Sequence, residues 1–140
     1  MTQPPFEILE HTADVGIKAY GNSLQELFVN AARGLISLAS GFPEASSTQR
    51  FSLSACGEDY EELLVNWLSE ILYYIDAEGW IFSDFKIHRL ESEFLEGEAL
   101  GERHAEAAHR LRTSVKAVTY HQISVRQTPN GWEAVVYFDI

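Results

Sequence analysis

One stretch constrains this chain more than any other: "GEDYEELLVNWLSEILYYIDAEG", from Gly57 to Gly79. Leu64, Trp67, Leu68, Ile71 and Ile75 recur every three or four residues, the spacing that puts one apolar stripe on an α-helix. Glu58, Asp59, Glu61 and Glu62 crowd its start, where the helix dipole favours negative charge, and Gly79 supplies the stop. Such a stripe is read as a core face. A second helix is read in "NSLQELFVNAARGLISLASG". Ser23 and Glu26 have the spacing of a capping box, Leu24, Leu27, Phe28, Ala31, Leu35 and Leu38 follow at helical intervals, and Gly41 and Pro43 end it.

The rest of the chain reads mostly as strand. "FEILEH" and "VGIKAYG" lie on either side of Asp14, and "RFSLSAC" alternates. "GWIFSDFKIHRLESEFLEGEAL" is one long strand or two with a bend. "SVKAVTYHQISV" and "WEAVVYFDI" are joined by "RQTPNG", in which Asn130-Gly131 is a hairpin-turn signal. "GERHAEAAHRLRT" reads as a short helix or a loop. At 140 residues, 46% hydrophobic, the chain has the size and apolar content of one domain, 1–140. The expected fold is α+β, with two helices packed on one face of a largely antiparallel, mixed sheet.

Composition removes several classes of function. The net charge is -11, from 21 acidic and 10 basic residues. Nucleic-acid binding draws most of its affinity from Lys and Arg on phosphates. Here the basic residues are scattered, with Arg103, Arg110 and Arg112 the nearest approach to a cluster, so strong direct nucleic-acid binding is not expected. An acidic surface suits solubility, cations or a basic protein partner. The single cysteine, Cys56, excludes an intrachain disulfide, has no zinc-site spacing around it, and is expected to be a small buried or half-buried residue. "MTQPPFEILE" does not read as a signal peptide, and no apolar run approaches bilayer length. A cytoplasmic protein without membrane contact is expected.

Phosphate-binding glycine loops and a nucleophile elbow are absent from the sequence. His11, His88, His104, His109 and His121 make no zinc motif. The carboxylates raise a sharper question. Strands disfavour Asp, whose short side chain competes for backbone hydrogen bonds, yet Asp14 interrupts a strand-like run and Asp139 sits inside the last strand. Ile140 adds its own α-carboxylate. If the first and last strands lie close, three anionic groups converge, and hard oxygen donors of this kind suit calcium, magnesium or manganese. The plainer alternative makes Asp14 a turn or cap and Asp139 a frayed end. Alternation places Lys116, Val118 and Tyr120 on one face of their strand, with Val115, Ala117, Thr119 and His121 on the other. Lys116 either pairs with a carboxylate or guards a sheet edge.

Taken in order, "EHTADVGIKAYG", "SLQELFVNAARGL", "ELLVNWLSEILYYID", "VKAVTYHQISV" and "WEAVVYFDI" resemble the archease family over nearly the whole chain. The span from Glu91 to Thr113 carries no part of the match. The resemblance implies an archease-like fold and a protein cofactor rather than an enzyme. It implies a partner, a GTP- and manganese-dependent RNA ligase that joins 3′-phosphate or cyclic-phosphate ends to 5′-hydroxyl ends. The cofactor promotes guanylylation and multiple turnover of that ligase in tRNA splicing, a form of tRNA processing, or in RNA repair. It also implies a metal site formed by Asp14, Asp139 and Ile140, with Lys116 as a functional contributor. Calcium is the expected ion, with magnesium and manganese as alternatives, and the protein is expected to act as a monomer. Two other readings stay open: a carboxylate-metal hydrolase or nuclease, and a metal-independent, chaperone-like interaction module.

Overall fold

The computed structural model describes residues 3–10, 14–39, 49–103 and 115–140. Its elements run β1 (Phe6–Glu10), β2 (Asp14–Gly21), α1 (Leu24–Ala39), β3 (Gln49–Cys56), α2 (Tyr60–Glu78), β4 (Trp80–Leu90), β5 (Phe94–Arg103), β6 (Ala117–Val118), β7 (Ser124–Thr128) and β8 (Gly131–Asp139). This is the expected combination of two helices with antiparallel strands.

The helices begin as their sequences dictate. Ser23 Oγ accepts from the Glu26 N–H at 3.1 Å. Asp59 caps α2 by accepting from the Glu62 N–H at 2.8 Å, and Glu62 Oε1 reaches back to the Glu58 N–H at 3.1 Å. Gly79, with φ 70°, closes the other end through its N–H on the Tyr74 carbonyl. The expected stop of α1 at Gly41 and Pro43 lies outside the described residues, as does 104–113, the bulk of the segment read as a short helix or loop.

The strands form two sheets instead of the single mixed one expected, and every described pairing is antiparallel. The larger has the order β1-β2-β8-β6, with β7 lying along the same edge of β8 as β6. The smaller has the order β3-β5-β4. The long strand-like stretch after α2 becomes the hairpin β4–β5, turning at residues 91–93. Helix α1 touches β1, β2 and β8 of the large sheet and β4 of the small one, and α2 likewise touches strands of both. One core therefore lies between them. Trp67, Phe28, Ile17, Phe82 and Phe138 are fully buried in it, and the Trp67 indole N–H donates to the Phe28 carbonyl at 3.1 Å. That bond satisfies the one polar atom of a side chain otherwise held by packing.

Three local expectations need correction. Cys56 is exposed: Leu53 and Ala55 turn into the core, and strict alternation along β3 sends the next residue outward. The β7–β8 hairpin turns on Pro129-Asn130, because Gly131 already pairs with Thr128. Its φ of 143°, open to glycine alone at little cost, lets the strand start there. The alternation read across "SVKAVTYHQISV" does not hold either. Val115 is buried and Val118 packs on the core, three residues apart, since regular pairing in β6 lasts only two residues. The chain then turns at His121-Gln122, with Gln122 at φ 51°, before β7 begins. No described helix is long and apolar enough to cross a membrane.

Candidate functional site

The register of β2 on β8 answers the question raised by the two aspartates. Asp14 stands directly opposite Asp139, on the last rung of that ladder. Directly paired residues of antiparallel strands project to the same side, with Cβ atoms about 4.5–5.5 Å apart. Val15, Ile17 and Ala19 of β2 are buried, as are Ala134, Val136 and Phe138 of β8. By alternation the two aspartates belong to the opposite, outer face, together with Gly16, Lys18, Tyr20, Glu133, Val135 and Tyr137. Asp14 is half-buried and Asp139 exposed. Ile140 follows one residue later and is 45% exposed.

The same spot is bounded on its other side by β6. Ala117 pairs with Asp139, and the Lys116 N–H donates to the Asp139 carbonyl at 2.8 Å. Thr119 donates to the Tyr137 carbonyl from both its N–H, at 3.0 Å, and its hydroxyl, at 2.9 Å. The start of β2, the end of β8 and the start of β6 thus meet at one corner of the large sheet. All four residues singled out from the sequence, Asp14, Asp139, Ile140 and Lys116, lie there. His11, Thr12 and Ala13, which lead into Asp14, lie outside the described residues.

Neither aspartate has a side-chain hydrogen bond or ion-pair partner among the described residues, and the exposed Lys116 ammonium has none there either. Two carboxylates on one rung repel. Hard oxygen donors that lack a cation of their own suit a divalent ion such as calcium or magnesium. Among the described residues no three His, Cys, Asp or Glu side chains gather as a metal cluster.

A family model describing the Archease protein family matches residues 6–140. The chain belongs to the archease family. A protein archease of Methanosarcina acetivorans is 38% identical over 96% of this chain and 95% of its own length. One from Saccharolobus islandicus is 43% identical over 96% of this chain and 98% of its own. The solution structure of Methanobacterium thermoautotrophicum Protein 1598 matches with a TM-score of 0.82 and 32% identity, covering 97% of this chain and 99% of that one. The crystal structure of an archease from Thermotoga maritima, described as a possible chaperone, shares the fold with a TM-score of 0.62 at 23% identity, over 100% of this chain and 98% of its own.

Reading along the sequence alone missed the neighbours that the archease sheet supplies to this corner. Tyr137 lies one same-face rung from the aspartates, opposite Gly16. The His121 ring meets the Tyr137 ring edge-on, 5.6 Å between centroids. Alternation along "WEAVVYFDI" puts Tyr137 on the side of Asp139, but only the register shows what it crosses.

Proposed function

We propose that this archease is an accessory protein that stimulates a GTP- and manganese-dependent RNA ligase joining 3′-phosphate to 5′-hydroxyl RNA ends, promoting its guanylylation and repeated turnover in tRNA splicing or RNA repair. The observation that carries the proposal is the Asp14–Asp139 rung, closed on its β6 side by Lys116. Asp14, Asp139 and the α-carboxylate of Ile140 would hold the divalent ion, calcium before magnesium or manganese. A bound ion supplies positive charge that neutralises the facing carboxylates and can meet phosphate oxygens. The two aspartates hold negative charge at an exposed corner where a partner's active site can reach it. Lys116, anchored by its backbone to Asp139, offers an ammonium to a nucleotide phosphate. The chain's net charge of -11 favours encounter with a basic, RNA-binding enzyme over grip on RNA itself. In this reading the archease is cytoplasmic, works as a monomer and is not itself an enzyme.

The test is a multiple-turnover ligase assay with Asp14→Ala, Asp139→Ala and Lys116→Ala. Each is expected to lose stimulation while the protein stays folded, and full stimulation by all three would remove the proposal. Incubation of the protein with RNA and divalent metal, without ligase, is expected to give no turnover. Turnover there would point to a metal-dependent hydrolase instead.

A further inference from the structure

We propose that Tyr137 is a positioning residue for the carboxylate pair, acting through its ring on Gly16. Where an ion is concerned, this rests on the metal reading above. Most other side chains on the outer face of the large sheet are at least partly open: Asp139 is exposed, and Lys18, Tyr20, Glu133 and Val135 are half-buried. Tyr137 belongs to the same face and yet is only 5% exposed. Its ring lies across the neighbouring strand. A Cβ built on Gly16 would stand 2.8 Å from both Tyr137 Cδ1 and Cε1, inside any real contact distance, and 3.0 Å from the Val136 carbonyl oxygen. Only a residue with no side chain lets the ring settle there.

The rest of Tyr137 is fixed as firmly. Thr119 donates twice to its carbonyl, the Thr119 hydroxyl also accepts from the His121 N–H at 3.3 Å, and the His121 ring stands edge-on to the phenol. Tyr137 therefore clamps β8 to β2 with its ring and to β6 with its backbone, one same-face rung from two like charges. Those charges push apart the end of the ladder, where fraying is easiest. The clamp sets the separation of β2 and β8 beside them, so the carboxylates are held facing each other before any ion arrives. Sites that bind ions well are built this way, with supporting residues fixing the donors.

The test uses the full chain, both metal-free and titrated with calcium chloride. Cross-strand NMR contacts between residues 14 and 139 report the rung, calorimetry reports calcium affinity, and thermal melts confirm folding. Tyr137→Phe is expected to keep both the rung and the affinity, because it keeps the ring that packs on Gly16. Tyr137→Ala and Gly16→Ala are each expected to lose rung contacts and to weaken calcium binding by about tenfold. Gly16→Ala should cost less when added to Tyr137→Ala, since the methyl group then has no ring to meet. If Gly16→Ala does not fold, Tyr137→Leu, which keeps bulk without a flat ring, decides the matter by the same two readouts. Unchanged contacts and affinity in Tyr137→Ala, or an equal loss in Tyr137→Phe, overturn the proposal. Wild-type protein that binds no calcium but loses the rung in Tyr137→Ala would sink the metal reading and leave the clamp standing.

Discussion

The two ends of the β2–β8 ladder carry charge on the same outer face and treat it in opposite ways. Near the Gly21 end every charge has a partner. Glu133 accepts from Arg126 Nε at 2.6 Å and faces Lys18 Nζ at 3.8 Å, and the Tyr20 hydroxyl donates to Glu7 Oε2 at 3.0 Å. Lys18 also lies 5.7 Å from the Tyr20 ring centroid. At the other end two aspartates share a rung and form no ion pair among the described residues. The first arrangement is what a protein does with surface charge when only the fold is at stake. The second leaves two like charges facing each other, which the proposed function accounts for by a bound cation.

The largest expected effect separates the two ends by their response to calcium. At about 100 times its Kd, a specifically bound ion stabilises the folded state by about 2.7 kcal/mol. Wild-type protein should be stabilised by that amount, read as a rise in melting temperature, while Asp14→Asn and Asp139→Asn should not respond. In the metal-free protein the same two variants should be more stable than wild type, by up to about 1 kcal/mol, as the like-charge rung is relieved. Extending the chain past Ile140 turns its α-carboxylate into an amide and should reduce the calcium shift. A tagged C-terminus that binds calcium normally would remove Ile140 from the site.

A smaller effect is expected at the paired end. Glu133→Ala leaves Lys18 and Arg126 without their shared partner and should cost about 1 kcal/mol, less at high salt, because exposed ion pairs are weak and screened. Calcium affinity should be unchanged. Denaturant melts at two salt concentrations, with a calcium titration alongside, check both halves. A change in affinity would mean that the two ends are coupled along the strands.

The smallest effect is a pH dependence. Burial pushes the Tyr20 phenol up to about 12, with the hydrogen bond to Glu7 and the charges of Glu7 and Glu133 adding to it. The folded protein then keeps this proton where the unfolded chain has already lost it. The stabilisation is fully present below about pH 10 and is lost as the pH rises toward 12. Tyr20→Phe should flatten stability across that alkaline window, followed by phenolate absorbance together with unfolding. An unchanged alkaline slope in Tyr20→Phe would assign it to other tyrosines.

Much of this was legible in the linear order of residues, because some features are decided by neighbours in the chain. Asp59 and Gly79 bound α2 since a helix end must satisfy its own orphan N–H and C=O groups within a few residues. The apolar stripes of both helices, the alternation in β3 and the hairpin before β8 are equally local. The two aspartates stood out by misfit, since an aspartate in a strand costs something wherever the strand goes, while the grouping of Asp14, Asp139 and Ile140 with Lys116 came from the family resemblance.

What lay beyond the sequence concerns partners far apart along it. Nothing in "RFSLSAC" says that its sheet is separate from that of "AVVYFDI". That Val115 and Val118, three residues apart, both turn to the core depends on what packs there. The sequence by itself determined that this archease has two capped helices, antiparallel strands and two out-of-place aspartates, since these follow from propensity, periodicity and capping. Only the tertiary structure decided that Asp14 faces Asp139, with Lys116 on their flank and the Tyr137 ring over Gly16. Register between strands more than a hundred residues apart is set by how their apolar faces share one core, and a slip of one residue in either strand would have sent that strand's carboxylate inward.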